Sequence, residues 1–182
     1  MNRPDRYGSV VIGLHWLVAL MIFCALAVGL YMHDLPLSPH KLKVYSWHKW
    51  IGVTIFLCAV LRVFWRATHP APELLASMPR WQKVAANGTH GLLYLLILVI
   101  PLSGWLMSSA YGVQVVYFGV LPLPDLIGKD KALADQLKEL HEGLNITMVV
   151  VLLAHVGAAL KHHFIDRDDI LRRMLPSWRS PS

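Results

Sequence analysis

The chain has 182 residues, 55% of them apolar and only 15% charged, where an average soluble domain carries about 25% charged residues. A core of this length cannot hide so much apolar surface, so an ordinary water-soluble domain is excluded and a membrane is the expected solvent. In that solvent the net charge of +6 reports how basic residues sort between membrane faces and does not point to a nucleic-acid partner.

Four apolar runs follow in order, each near the 20 residues that a spanning helix needs. The first, about 10–31, carries no charge and one histidine, His15. Arg3 and Arg6 precede it and Ala25-Leu26-Ala27 mimics a cleavage site, but the run is too long for a signal-peptide core and is expected to be retained. The second, about 46–65, is interrupted by His48, Lys49 and Arg62. The third, about 88–110, has no charge from Gly91 onward, and the fourth, about 141–163, has only His155 between Gly143 and Leu160. Residues 32–45 read as a short loop with Pro36 and Pro39, and 67–86 as a loop rich in Pro and Ala. Residues 111–140 are rich in Gly and Pro up to Gly128. From Lys129 they turn helix-prone and lead without a break into the fourth span. The tail after Phe164 reads as frayed. Cys24 and Cys58 lie inside apolar runs and read as packing residues. The expected fold is a single all-α domain, a transmembrane four-helix bundle.

Four spans put both termini on one side. All nine arginines (Arg3, Arg6, Arg62, Arg66, Arg80, Arg167, Arg172, Arg173 and Arg179) fall there. The other side collects Lys41, Lys43, Lys49, Lys129, Lys131 and Lys138. The arginine bias predicts cytoplasmic termini.

This topology gives each membrane histidine a depth. His141 and His155 stand fourteen residues apart on one helix, which is roughly 21 Å along the axis and within about 40° of the same face. His48 falls at the depth of His141 and His15 at the depth of His155. Each pair comes from two helices, as bridging a flat macrocycle from both faces requires, and neutral imidazole is a good iron ligand. A buried zinc site would want three or four ligands at one depth. Two b-type haems therefore fit better, and the lack of a C-x-x-C-H run argues against covalent attachment. Packed interfacial histidines remain the bland alternative. Gly52, four after His48, shares its face and would let a ring approach. Arg62, fourteen after His48, would meet a haem propionate or snorkel to headgroups. His90 would compete with His15 or support a ligand, and His162 follows His155 by seven. His33, His40 and His69 read as surface residues. Lys49 and Lys138 would draw a small anion toward the outer centre or simply solvate helix starts.

Several stretches carry a resemblance: Leu14-His15-Trp16, Trp47-His48-Lys49 with Gly52, Arg62-Val63-Phe64-Trp65-Arg66, and His90-Gly91-Leu92-Leu93-Tyr94. Leu137 to Glu142, His155 to Phe164 and Asp168 to Met174 add to it. Over nearly its whole length the chain resembles the bacterial cytochrome b561 family. The resemblance implies a multi-pass inner-membrane dihaem cytochrome that moves electrons between a periplasmic reactant and the quinone pool, superoxide with ubiquinone being one such pair. It implies His48 and His141 on the outer haem, His15 and His155 on the inner one, and His162 near the quinone headgroup. The stretch 67–79 departs from the pattern in having no lysine; Arg80 and Lys83 follow it. Two other readings stand beside the superoxide:quinone oxidoreductase: an electron-relay subunit for a periplasmic redox protein, and a histidine-rich metal transporter.

Overall fold

The computed structural model describes residues 6–69, 72–73 and 78–176. Arg3, Arg179 and the end of the tail lie outside them. Four helices form the bundle: α1 Ser9–His33, α2 Pro39–Thr68, α3 Arg80–Ala110 and α4 Lys131–Lys161. All four are long and apolar enough to cross a membrane.

Two helices begin well before their apolar runs, which corrects the expected loops. In α2, Ser38 is extended and its Oγ accepts from the Lys41 amide at 3.2 Å. Pro39 follows at the first helical position, where its missing N–H costs nothing. The expected loop 32–45 therefore shrinks to Asp34–Ser38. α3 starts at Arg80 behind Pro79, inside the expected loop 67–86. The lead-in to the fourth span is helical as expected, with the Asp130 carboxylate capping the Leu133 amide at 3.1 Å. Apolar runs mark membrane thickness; caps mark helix length, and here the two differ.

The tail is also more ordered than its composition suggests. α4 continues as one π-helical turn, His162–Asp166, closed by Arg167 in the left-handed region at φ 55°. A short 3₁₀ turn at Arg172–Met174 follows. The Trp16 indole donates to the Met174 carbonyl at 2.8 Å and Arg6 donates to the Leu175 carbonyl, so α1 holds the tail in place.

The long connection contains β-structure that its sequence did not announce. Strands β1 Val116–Tyr117 and β2 Leu121–Pro122 pair antiparallel. Phe118 and Gly119 make the turn at φ 50° and 74°, the mirror-image geometry that suits a hairpin's twist. Trp50 of α2 donates to the Val116 carbonyl at 2.7 Å, and Tyr117 and Thr54 hydroxyls meet at 2.9 Å. Trp105 of α3 donates to the Pro124 carbonyl at 3.1 Å.

The buried core is one cluster at mid-bundle, Val18, Ile55, Ala59, Leu96, Ile97 and Met148. All four helices contribute to it. Met148 lies seven residues from both His141 and His155, so this apolar plug separates the two histidine levels. Few other side chains are fully buried, and large apolar residues such as Leu20 and Leu153 face outward. That inside-out balance suits a bundle whose solvent is lipid.

Candidate metal centres

At the hairpin end, His48 of α2 and His141 of α4 face each other. Their ring centres are 6.4 Å apart and the planes cross at 83°. Two imidazoles on opposite sides of one metal ion, with bonds of about 2.0–2.1 Å and ring centres roughly 1.1 Å behind each nitrogen, stand about 6.3 Å apart. The observed spacing therefore leaves room for a single ion between the rings.

Each ring rests against a glycine of another helix. A Cβ on Gly29 of α1 would lie 3.3 Å from His48 Cε1, and one on Gly104 of α3 would lie 3.2 Å from His141 Cε1. Neither glycine stood out in the sequence, because nothing in a single helix says which partner ring will press on it. Gly52 differs: a Cβ there meets nothing within 4 Å, and the residue lines the cavity between the two histidines. That cavity, about 680 Å³ including its open side, is walled by apolar residues such as Leu26, Ile100 and Trp105.

The second nitrogen of each ring matters as much as the first. His141 Nδ1 lies 2.9 Å from Ser103 Oγ and 3.1 Å from the Ile100 carbonyl, and the Ser103 hydroxyl itself donates to Ile100 at 2.8 Å. With Nδ1–H donating to this pair, the Nε2 lone pair is free to bind a metal. His48 Nδ1 is buried without a well-formed hydrogen bond, although the Ala25 carbonyl faces it.

At the end that carries the termini, His15 of α1 and His155 of α4 repeat the arrangement. Their ring centres are 6.3 Å apart with planes at 61°. His90 of α3 is also close to His155, at 5.3 Å, about 1 Å short of the trans-ligand spacing, and it is exposed. Arg62 lies 5.2 Å over the Tyr94 ring and within electrostatic reach of His15, His90 and His155. It is turned toward this cluster, and Arg66 joins it beside His90.

A family model described as prokaryotic cytochrome b561 matches residues 6–177. The chain belongs to the prokaryotic cytochrome b561 family. Cytochrome b561 homolog 2 of Escherichia coli (strain K12) is 39% identical over 177 residues, covering 96% of this chain and 93% of its own length. Cytochrome b561 homolog 1 of the same organism is 29% identical over 175 residues, covering 94% and 98%. A probable superoxide oxidase, CybB, of Yersinia pestis is 28% identical over 179 residues, covering 96% and 98%. Cytochromes of this family are multi-pass membrane proteins that transfer electrons and bind b-type haem. The donor set suits that group: two imidazoles from different helices meet beside an apolar slot.

The remaining candidates are placed as follows. His162 Nδ1 lies 2.6 Å from Asp168 Oδ2 and 3.2 Å from Asp166 Oδ2. Asp166 stands at the i,i+4 spacing from His162, which could have found it; Asp168, six residues on, reaches the ring where the π-helical turn closes. Lys49 lines the cavity, and its Nζ donates to Ser108 Oγ at 2.7 Å. Lys138 is exposed and pairs with Glu142 at 3.6 Å. His33, His40 and His69 are exposed, as expected. One consequence can be measured. Ser103→Ala is expected to leave His141 with the Ile100 carbonyl alone, which would weaken retention of a metal group held by His141 about tenfold. A redox titration of the variant should show a shifted haem potential.

Proposed function

We propose that this cytochrome, as one membrane domain, is a superoxide:quinone oxidoreductase. One b-type haem is held by His48 and His141, and the second by His15 and His155. The matched ring spacings, 6.4 Å and 6.3 Å at two depths, are the observation that carries the reading. When bound, the haems supply one-electron acceptance and release at both levels. The termini are cytoplasmic and the hairpin end periplasmic, since the described arginines gather at the former end with Lys83 and Lys161, and the other lysines at the latter. The membrane is then the bacterial inner membrane, with its lipid as the surrounding partner.

The balance of the reaction is simple. Two superoxide anions each lose one electron and leave as dioxygen; one ubiquinone takes two electrons and two protons. Lys49, at the wall of the hairpin-end cavity, attracts the anion by its charge, which Asp125 offsets in part. Lys138 contributes less, because Glu142 offsets its charge. Arg62 would neutralise a haem carboxylate at the inner level, and Gly52 leaves the slot open. His90 stands beside His155 as a supporting group. At the cytoplasmic end, Asp168 fixes the His162 ring so that Nε2 can meet a quinone oxygen and deliver a proton.

Rapid mixing with superoxide is expected to change the b-type absorbance far faster than spontaneous dismutation removes the anion, and added ubiquinone should reverse the change. A reaction no faster than dismutation would overturn superoxide as the donor. Asp168→Asn is expected to slow quinone reduction about 10–100-fold while leaving the superoxide-dependent step intact. The relay reading is favoured by one observation: Lys49 is the cation that lines the cavity, and Asp125 lies within electrostatic reach of it and offsets part of its charge. It predicts a stable periplasmic redox partner in a pull-down and slow reaction with superoxide alone. Family membership removes the metal-transporter reading.

A further inference from the structure

The connection from α3 to α4 has an unusual composition for a loop that leaves a membrane. Tyr111 to Pro124 contains no charged residue. Its inward side is packed: Val115 is buried and lines the cavity between His48 and His141. Its outward side is apolar and bare. Phe118 is 59% exposed, Leu121 56% and Val120 83%. In water this would be a contiguous greasy projection of the kind that marks an interaction surface.

The depth of the hairpin identifies what covers it. Phe118 packs on Trp50, with ring centres 5.3 Å apart. Tyr117 reaches Thr54. Trp50 and Thr54 come two and six residues after His48, on the membrane side of it. The tip therefore lies along the flank of α2, level with the first histidine pair and not above it. Trp50, Thr54, Leu57 and Leu61 share one face of α2 by their spacing. Leu57 and Leu61 are exposed directly below the hairpin. The bare surface of the hairpin thus continues the lipid-facing surface of the bundle.

Backbone chemistry permits this position. A chain entering lipid must satisfy its own amides and carbonyls. Here the Gly119 and Val120 amides donate to Val116 and Tyr117 carbonyls at 3.2 and 3.1 Å, and the Leu123 amide to Val115 at 2.8 Å. The Val116 carbonyl also takes the Trp50 indole. We infer that the β1–β2 hairpin is inserted into the leaflet at its end of the bundle, where acyl chains cover Phe118, Val120 and Leu121 and Val115 walls the histidine cavity off from lipid.

The test places a nitroxide on Val120→Cys, and separately on Phe118→Cys, in a Cys24→Ser, Cys58→Ser background. The haem-loaded protein is reconstituted in phosphatidylcholine–phosphatidylglycerol vesicles. Collision rates with oxygen, which partitions into lipid, are compared with those of a water-soluble nickel chelate. The oxygen-to-nickel ratio is expected to be several-fold higher at both positions than at a label on Lys131→Cys in the exposed start of α4. A ratio equal to that at position 131 means the hairpin stands in water and overturns the inference. Protection from both reagents means another protein surface covers it, which also overturns it. Should the cysteine-free background lose haem, the same labels in the parent background, with the parent spectrum subtracted, give the same comparison.

Discussion

On the proposed assignment of two haems per chain, His141→Ala is expected to leave a folded protein with one. The substitution removes a ring from the wall of a cavity, and alanine is the best helix former, so α4 loses nothing locally. The Asp130 cap and the packing of Met148 in the core stay in place. What disappears is one of two facing nitrogens, and His48 alone cannot hold the group from one side. Haem content by pyridine haemochrome, read against protein mass, should halve. The circular dichroism of the helices should stay unchanged. The surviving haem should keep the potential it has in the parent, because the apolar plug of Val18, Ile55, Leu96 and Met148 stands between the two levels. His90→Ala is the contrast, with both haems retained, because its 5.3 Å approach to His155 is too close for an ion between them. If His141→Ala keeps both haems, or His90→Ala loses one, the assignment of ligands is wrong.

The depths of the histidines were legible in the sequence because counting residues along an apolar run measures distance through a membrane. The fourteen residues from His141 to His155 are such a measure, and the structure brings to each end the partner that the count selects, His48 and His15. What the count could not reach is lateral. Which ring presses on Gly29 or Gly104, whether Arg62 turns outward or over Tyr94, and how Ser103 meets His141 all depend on the rotation of one helix against another. No apolar run records that rotation. The helix start at Asp130 was anticipated from the helix-prone run after Lys129, whereas the start at Ser38-Pro39 was readable from capping chemistry but passed over by a reading of hydropathy alone. The hairpin was hidden for a different reason: strands of two residues are too short to alternate, and Gly119 was the single turn signal at its tip. The Asp168 contact of His162, at six residues' distance, follows a π-helical turn that no residue spacing announced, whereas Asp166 stands at the ordinary i,i+4 spacing.

Gly104→Val should show that this lateral packing, and not only the ligand itself, holds the metal centre. The Cβ alone would lie 3.2 Å from His141 Cε1, closer than ordinary contact, and valine adds two methyl groups beyond it. The ring cannot retreat without leaving Ser103 and Ile100, which hold its Nδ1 from the same helix. Overpacking of this kind costs about 1–3 kcal/mol, too little to unfold a four-helix bundle and enough to displace one ring. On the proposed assignment, the expected protein keeps His48 and His141 in its sequence and yet loses the haem at the hairpin end. Gly13→Val serves as the control. A Cβ at that position meets nothing within 4 Å, and the same change in size should leave both haems bound. Equal spectra for the two variants would mean that Gly104 does not set the position of His141, and that the imidazole finds its place without the support of α3.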